Sequence, residues 1–125
     1  MLTELDFEKL GGLVPVVVQE WTSKEVLMVG FMNREAWEET WRTGRATYWS
    51  RSRKRLWIKG ETSGHVQEVK EIYVDCDADT VLLLVVQHGG AACHTGHRSC
   101  FYRRWEGGEL KEVSEKIFDP GDVYR

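Results

Sequence analysis

The chain has 125 residues, 42% of them hydrophobic and 30% charged, and 20 Asp and Glu against 17 Lys and Arg leave a formal charge of -3. This length suits one compact domain with its own core, and the acidic balance excludes wholesale attraction to bulk DNA. Two prolines and no low-complexity tract or internal repeat leave no sign of a disordered tail, a linker or a domain boundary, so residues 1–125 read as a single domain.

The start, Met1-Leu2-Thr3-Glu4-Leu5-Asp6-Phe7-Glu8, is acidic and mixed rather than basic and then apolar, unlike a secretory signal. Val81 to Val86 is the longest aliphatic run, far too short to cross a bilayer. A soluble cytoplasmic protein with no membrane partner is expected. Its three cysteines, Cys76, Cys93 and Cys100, cannot all pair within one chain, and a reducing compartment disfavours disulfides.

Val14 to Glu20 and Glu25 to Phe31, rich in Val, Leu and Met, flank Trp21-Thr22-Ser23-Lys24 and predict a two-stranded hairpin. Asn33 is placed to cap a helix over Arg34 to Thr43, with Met32 and Trp37 as a hydrophobic staple, Trp37 and Trp41 on one face and Gly44 as the stop. Strand-like runs follow at Ala46 to Ser50, Arg55 to Lys59, Val66 to Val74, Thr80 to Gln87 and Phe101 to Trp105. Leu110, Val113 and Ile117 recur at helical spacing and predict a short second helix near the C-terminus. The fold class is therefore α+β, mainly antiparallel sheet with one or two short helices.

Two clusters carry metal-ligand chemistry. Asp75, Asp77 and Asp79 alternate in Asp-Cys-Asp-Ala-Asp, and an extended run would put all three carboxylates on one side. Such oxygens favour a hard ion, Mg2+ or Ca2+. An EF-hand is excluded, because Thr80 and Val86 stand where that loop needs Gly and Glu; a solvated acidic turn is the plain alternative. Cys93-His94-Thr95-Gly96-His97-Arg98-Ser99-Cys100 places two thiols and two imidazoles in one loop, a composition that suits zinc without zinc-finger spacing; buried thiols and inert loop histidines are the alternative. Cys76 faces away from its Asp neighbours in an extended strand, so gathering all three thiols needs a turn or a second subunit.

Arg45, Arg51, Arg53, Lys54, Arg55 and Lys59 occur between Arg45 and Gly60 with no acidic residue among them, interleaved with Tyr48, Trp49 and Trp57. Guanidinium groups beside aromatic rings suit a ligand made of a base and a phosphate, and Thr62-Ser63-Gly64 adds hydroxyls and backbone donors. An ordinary strand pair with Arg outward and Trp inward explains the same pattern.

Val26-Leu27-Met28, Met32-Asn33-Arg34-Glu35-Ala36, Tyr48-Trp49-Ser50-Arg51-Ser52-Arg53, Leu56-Trp57, Lys59-Gly60-Glu61-Thr62-Ser63-Gly64, Asp75-Cys76-Asp77, Ala92-Cys93-His94-Thr95-Gly96 and Ser99-Cys100-Phe101 occur in this order. Together they resemble the phosphoribosyl-AMP cyclohydrolase family, in its monofunctional form. The resemblance implies hydrolytic opening of the adenine ring of phosphoribosyl-AMP, the third step of histidine biosynthesis, by a zinc-activated water in a homodimer that needs zinc and magnesium. It places zinc on Cys93 and Cys100 of one subunit with Cys76 of the other, and magnesium on Asp75, Asp77 and Asp79. His94 is the candidate for proton transfer, or else a fourth zinc ligand. Arg51, Arg53, Lys59 and Ser63 are candidates for orienting the phosphates, and Trp49 or Trp57 for stacking on the purine. A base deaminase is excluded, since no His is followed two places on by Glu. The alternative from another class is a basic-aromatic nucleic-acid binding module with a structural zinc site; the enzyme reading implies no nucleic-acid partner.

Overall fold

The computed structural model describes residues 4–117. β1 (Val14–Glu20) and β2 (Val26–Met32) pair antiparallel across the turn at residues 21–24, as the sequence predicts. β1 buries alternate residues, with Val14, Val16 and Val18 fully enclosed, because a strand sends successive side chains to opposite faces. β5 (Gln67–Val74) and β6 (Val81–Gln87) form a second antiparallel pair. β6 also pairs with β1, here in parallel, giving a four-stranded sheet in the order β2-β1-β6-β5. Val81, Leu83 and Val85 of this interior strand are fully buried on the core face.

One face of this sheet carries the core. α1 (Arg34–Thr43) and the hairpin of β3 (Thr47–Ser50) and β4 (Arg55–Ile58) pack on it through Ala36, Ala46, Tyr48, Trp37 and Leu56. The helix begins as its sequence predicts: the Asn33 side chain accepts from the Ala36 N–H at 2.9 Å, and the Gly44 N–H closes the last turn on Thr40 O. Its buried stripe is Ala36 and Thr40, whereas Trp41 is exposed. Thr40 Oγ1 donates to Ala36 O and accepts from the Thr47 N–H at 3.0 Å, fastening the helix to β3.

The opposite face is open. Val29, Val17, Leu82 and Tyr73 are register partners across all four strands, and Val29 and Tyr73 at its ends are exposed. This apolar row lies beside the loop joining β5 to β6.

The C-terminal helix is not formed. Residues 103–112 instead make a hairpin of β7 (Arg103–Glu106) and β8 (Glu109–Glu112), with Trp105 opposite Leu110. Gly107 and Gly108 both have positive φ, 59° and 87°, the backbone that a two-residue hairpin loop demands and that glycine alone adopts freely. That local demand outweighs the chance helical spacing of Leu110, Val113 and Ile117. α1 is thus the single α-helix among the described residues.

A polar chain crosses the core beneath the β3–β4 hairpin. Tyr48 Oη donates to Gln67 Oε1 at 2.5 Å, Gln67 Nε2 to Gln87 Oε1 at 2.8 Å, and Gln87 Nε2 to His65 O at 2.9 Å. Gln67 and Gln87 are also register partners, so the chain pins the β5–β6 register. Tyr48→Phe removes the donor to a fully buried amide oxygen and is expected to cost about 1–3 kcal/mol. Urea unfolding should show a lower midpoint at unchanged slope; an unchanged midpoint would deny the chain this role.

Candidate metal and substrate site

The Asp cluster sits in the β5–β6 connection, which is a turn, with Ala78 at φ 60°, rather than the extended run that would align the carboxylates by alternation. Asp75 Oδ1 causes the bend by accepting from the Asp79 and Thr80 N–H groups at 3.0 and 3.2 Å. The turn still gathers the carboxylates: one oxygen from each of Asp75, Asp77 and Asp79 lies within 4.8 Å of the others. Lys9, which no motif singles out, donates to Asp77 Oδ2 at 3.1 Å and Asp79 Oδ2 at 3.3 Å. Its ammonium holds the Asp77 carboxyl below the usual range, while desolvation and the neighbouring carboxylates push Asp79 up. Three gathered carboxylates, two of which already hold a cation, fit a hard metal ion.

The Cys loop follows β6, at the other end of that strand. Ala92 N–H donates to Arg98 O and Cys93 N–H to His97 O, while Gly96 N–H folds back on Cys93 O. Cys100 N–H donates to Leu27 O and Ser99 Oγ to Val26 O, anchoring the loop to the start of β2. The two thiols come together: desolvation and then the adjacent Cys93 push Cys100 up to about 11. A close pair of soft donors fits zinc. Cys93 is buried, Cys100 exposed, and His94 exposed on the loop surface.

Cys76 does not join this pair. The seven residues of β6 span about 20 Å, with Cys76 before the strand and Cys93 after it. Among the described residues no second trio of His, Cys, Asp or Glu donors gathers as the aspartates do.

The β3–β4 hairpin lies along the core face. Arg51 and Arg53 are exposed at its turn, the Arg51 guanidinium 4.0 Å from the Phe31 ring centroid. Trp49 is opposite Leu56, and Trp57 is opposite Tyr48, so the two tryptophans occupy opposite faces of the hairpin. Trp57 shares its face with Lys59, whose Nζ is 5.1 Å from the indole centroid. Lys59 departs from the exposed basic patch: it is 6% exposed, and its Nζ donates to Ala92 O at 2.5 Å. Ser63 Oγ accepts from His65 N–H in the following turn, which Gly60 allows by passing so near His65 that a Cβ would lie 2.2 Å from its carbonyl carbon.

His97 is a residue the loop composition did not separate from His94. It is 1% exposed, stacked on Tyr102 at 3.7 Å, with Nδ1 3.0 Å from Ser114 Oγ. With Ile117 N–H on Gly96 O at 2.6 Å, it clamps residues 113–117 onto the Cys loop. Its burial against Tyr102 and Ser114, not its type or spacing, sets it apart.

Fold and site together define an α+β protein that carries a hard oxygen donor set and a soft sulfur pair at opposite ends of one strand. The sequence profile of the phosphoribosyl-AMP cyclohydrolase family matches residues 28–102. Proteins named phosphoribosyl-AMP cyclohydrolase from Desulfatibacillum aliphaticivorans and Syntrophotalea carbinolica are 63% and 54% identical over 124 residues, covering 99% of this chain and 99% of each relative. The chain belongs to the phosphoribosyl-AMP cyclohydrolase family.

In the metal-free protein the raised Cys100 thiol stays protonated through the range where an ordinary thiol ionises. Its alkylation by iodoacetamide, followed by peptide mass spectrometry, should keep rising above pH 9.0, with its midpoint near 11. A midpoint near 9.0 would show that Cys100 is neither desolvated nor closely coupled to Cys93.

Proposed function

We propose that the chain opens the adenine ring of phosphoribosyl-AMP between nitrogen one and carbon six at a site built by two copies, with zinc on Cys93 and Cys100 of one copy and Cys76 of the other. Family membership carries the hydrolase activity and its place in histidine biosynthesis. The observation that carries the two-copy site is the separation of Cys76 from the thiol pair by the length of β6. The open row of Val29, Val17, Leu82 and Tyr73 supports it, since an exposed apolar sheet face beside the Cys76 turn suits burial against a second copy. Asp75, Asp77 and Asp79 would hold magnesium, displacing the Lys9 ammonium.

Zinc on thiolates supplies Lewis acidity and lowers the pKa of water to about 7. The water oxygen adds to carbon six, the bond from carbon six to nitrogen one breaks, and nitrogen one takes up a proton. His94, exposed and adjacent to Cys93, moves that proton from the water to nitrogen one. Trp57, on the Lys59 face of the hairpin, is the better placed tryptophan to stack on the purine beside the thiols. Arg51 and Arg53 at the exposed turn orient the phosphates, with Ser63 as a hydroxyl donor. No membrane enters this reading; among the described residues no helix is long and apolar enough to cross one.

Ultraviolet-monitored ring opening should vanish on chelation and return when zinc and magnesium are restored. His94→Ala should retain zinc and slow turnover about 100-fold or more; a metal-free His94→Ala protein would make His94 a ligand instead. Cys76→Ala and Cys93→Ala should each be inactive alone. Mixed and allowed to exchange subunits, they should recover about a quarter of wild-type activity, because half the dimers carry one intact site. No recovery in demonstrably mixed dimers would place all the ligands in one chain.

A further inference from the structure

Lys59 follows β4, and its backbone N–H donates to Ala46 O at 3.1 Å. Its side chain runs inward, leaving the residue 6% exposed, and ends against the residue preceding Cys93, donating to Ala92 O at 2.5 Å. An ammonium carries three donors. A carbonyl and the Trp57 indole ring over which Nζ lies, 5.1 Å from its centroid, satisfy only part of that demand. No carboxylate pairs with Lys59 among the described residues, and a buried cation without an anion is unfavourable. The groups beside it that can carry negative charge are the thiols of the loop it holds, because the carbonyl it binds belongs to the residue before Cys93. Three thiolates around a divalent ion also leave a net negative charge that a desolvated site has to offset.

We propose that Lys59 is a positioning residue of the sulfur site, its buried ammonium supplying the fixed positive charge against which the Cys93 and Cys100 thiolates hold zinc. The assignment rests on the zinc reading above. It also takes Lys59 out of the phosphate-binding set, since its ammonium is committed to the loop that bears the thiols.

The test measures zinc affinity of the full-length protein by competition with a chromophoric chelator, and the thiolate charge-transfer band after Co2+ substitution. Wild type should bind zinc and Cys93→Ala should not; a wild type without zinc affinity would overturn the zinc reading and this assignment together. Lys59→Met should bind zinc about 10- to 100-fold more weakly, the usual effect of losing a group that supports a metal ligand, with a diminished Co2+ band. Lys59→Gln keeps an N–H donor for Ala92 O without the charge and gives the same readout should Lys59→Met fail to fold. Recovery of affinity in Lys59→Arg supports the charge rather than the packing of the stem. Wild-type affinity in a folded Lys59→Met or Lys59→Gln protein, while Cys93→Ala still loses zinc, would overturn the role of Lys59 alone.

Discussion

The length of β6 governs how this molecule can do chemistry. Its seven residues form a central strand with β1 on one side and β5 on the other, so it cannot bend or slip without breaking two ladders. Each end opens into a loop with ligand-type side chains: carboxylates before the strand, thiols after it. The motifs are close in sequence and about 20 Å apart in space, a distance fixed by the most buried strand of the sheet.

That separation has a chemical consequence under the two-copy reading. Cys76 lies between Asp75 and Asp77 within one turn, so a turn that delivers Cys76 to the thiol pair of another copy delivers the carboxylates with it. The hard and soft donor sets, remote within one chain, become neighbours in each shared site. Oxygen ligands retain the hard ion and sulfur ligands the soft one, so the two metals remain distinct even when close. The Lys9 contact fits this arrangement, because an ammonium neutralises the aspartates in a lone chain without occupying coordination positions that a metal would need permanently.

Most of the architecture was legible locally. The Asn33 cap, Gly44 stop and alternating valines of β1 each state a local rule that the tertiary structure obeys. The C-terminal helix failed because three apolar residues at helical spacing are weaker evidence than two consecutive glycines between strand-length segments. The Asp run lies between the two predicted strands and gathers its carboxylates in a turn rather than on one side of an extended segment, since the carboxylate of Asp75 bends the backbone by capping its own turn. Strand order was not legible: nothing local announces that β6 pairs parallel with β1. Neither was the Tyr48-Gln67-Gln87 chain, whose members are scattered through the sequence and meet only when the hairpin lies down on the sheet.

The basic-aromatic segment shows why composition alone leaves function open. Read as a string, Tyr48 to Lys59 suits a nucleic-acid surface, where successive bases stack on aromatic rings along a positively charged groove. Pairing in the hairpin divides its elements instead: Trp49 and Trp57 turn to opposite faces, and Lys59 is buried against the Cys loop. What remains exposed is the turn itself, with Arg51, Arg53 and Lys54, and Arg55 at the start of β4. The same residues that made a binding module conceivable are thus distributed, by strand register, between an exposed basic turn, two tryptophans on opposite faces and a buried cation held against the Cys loop.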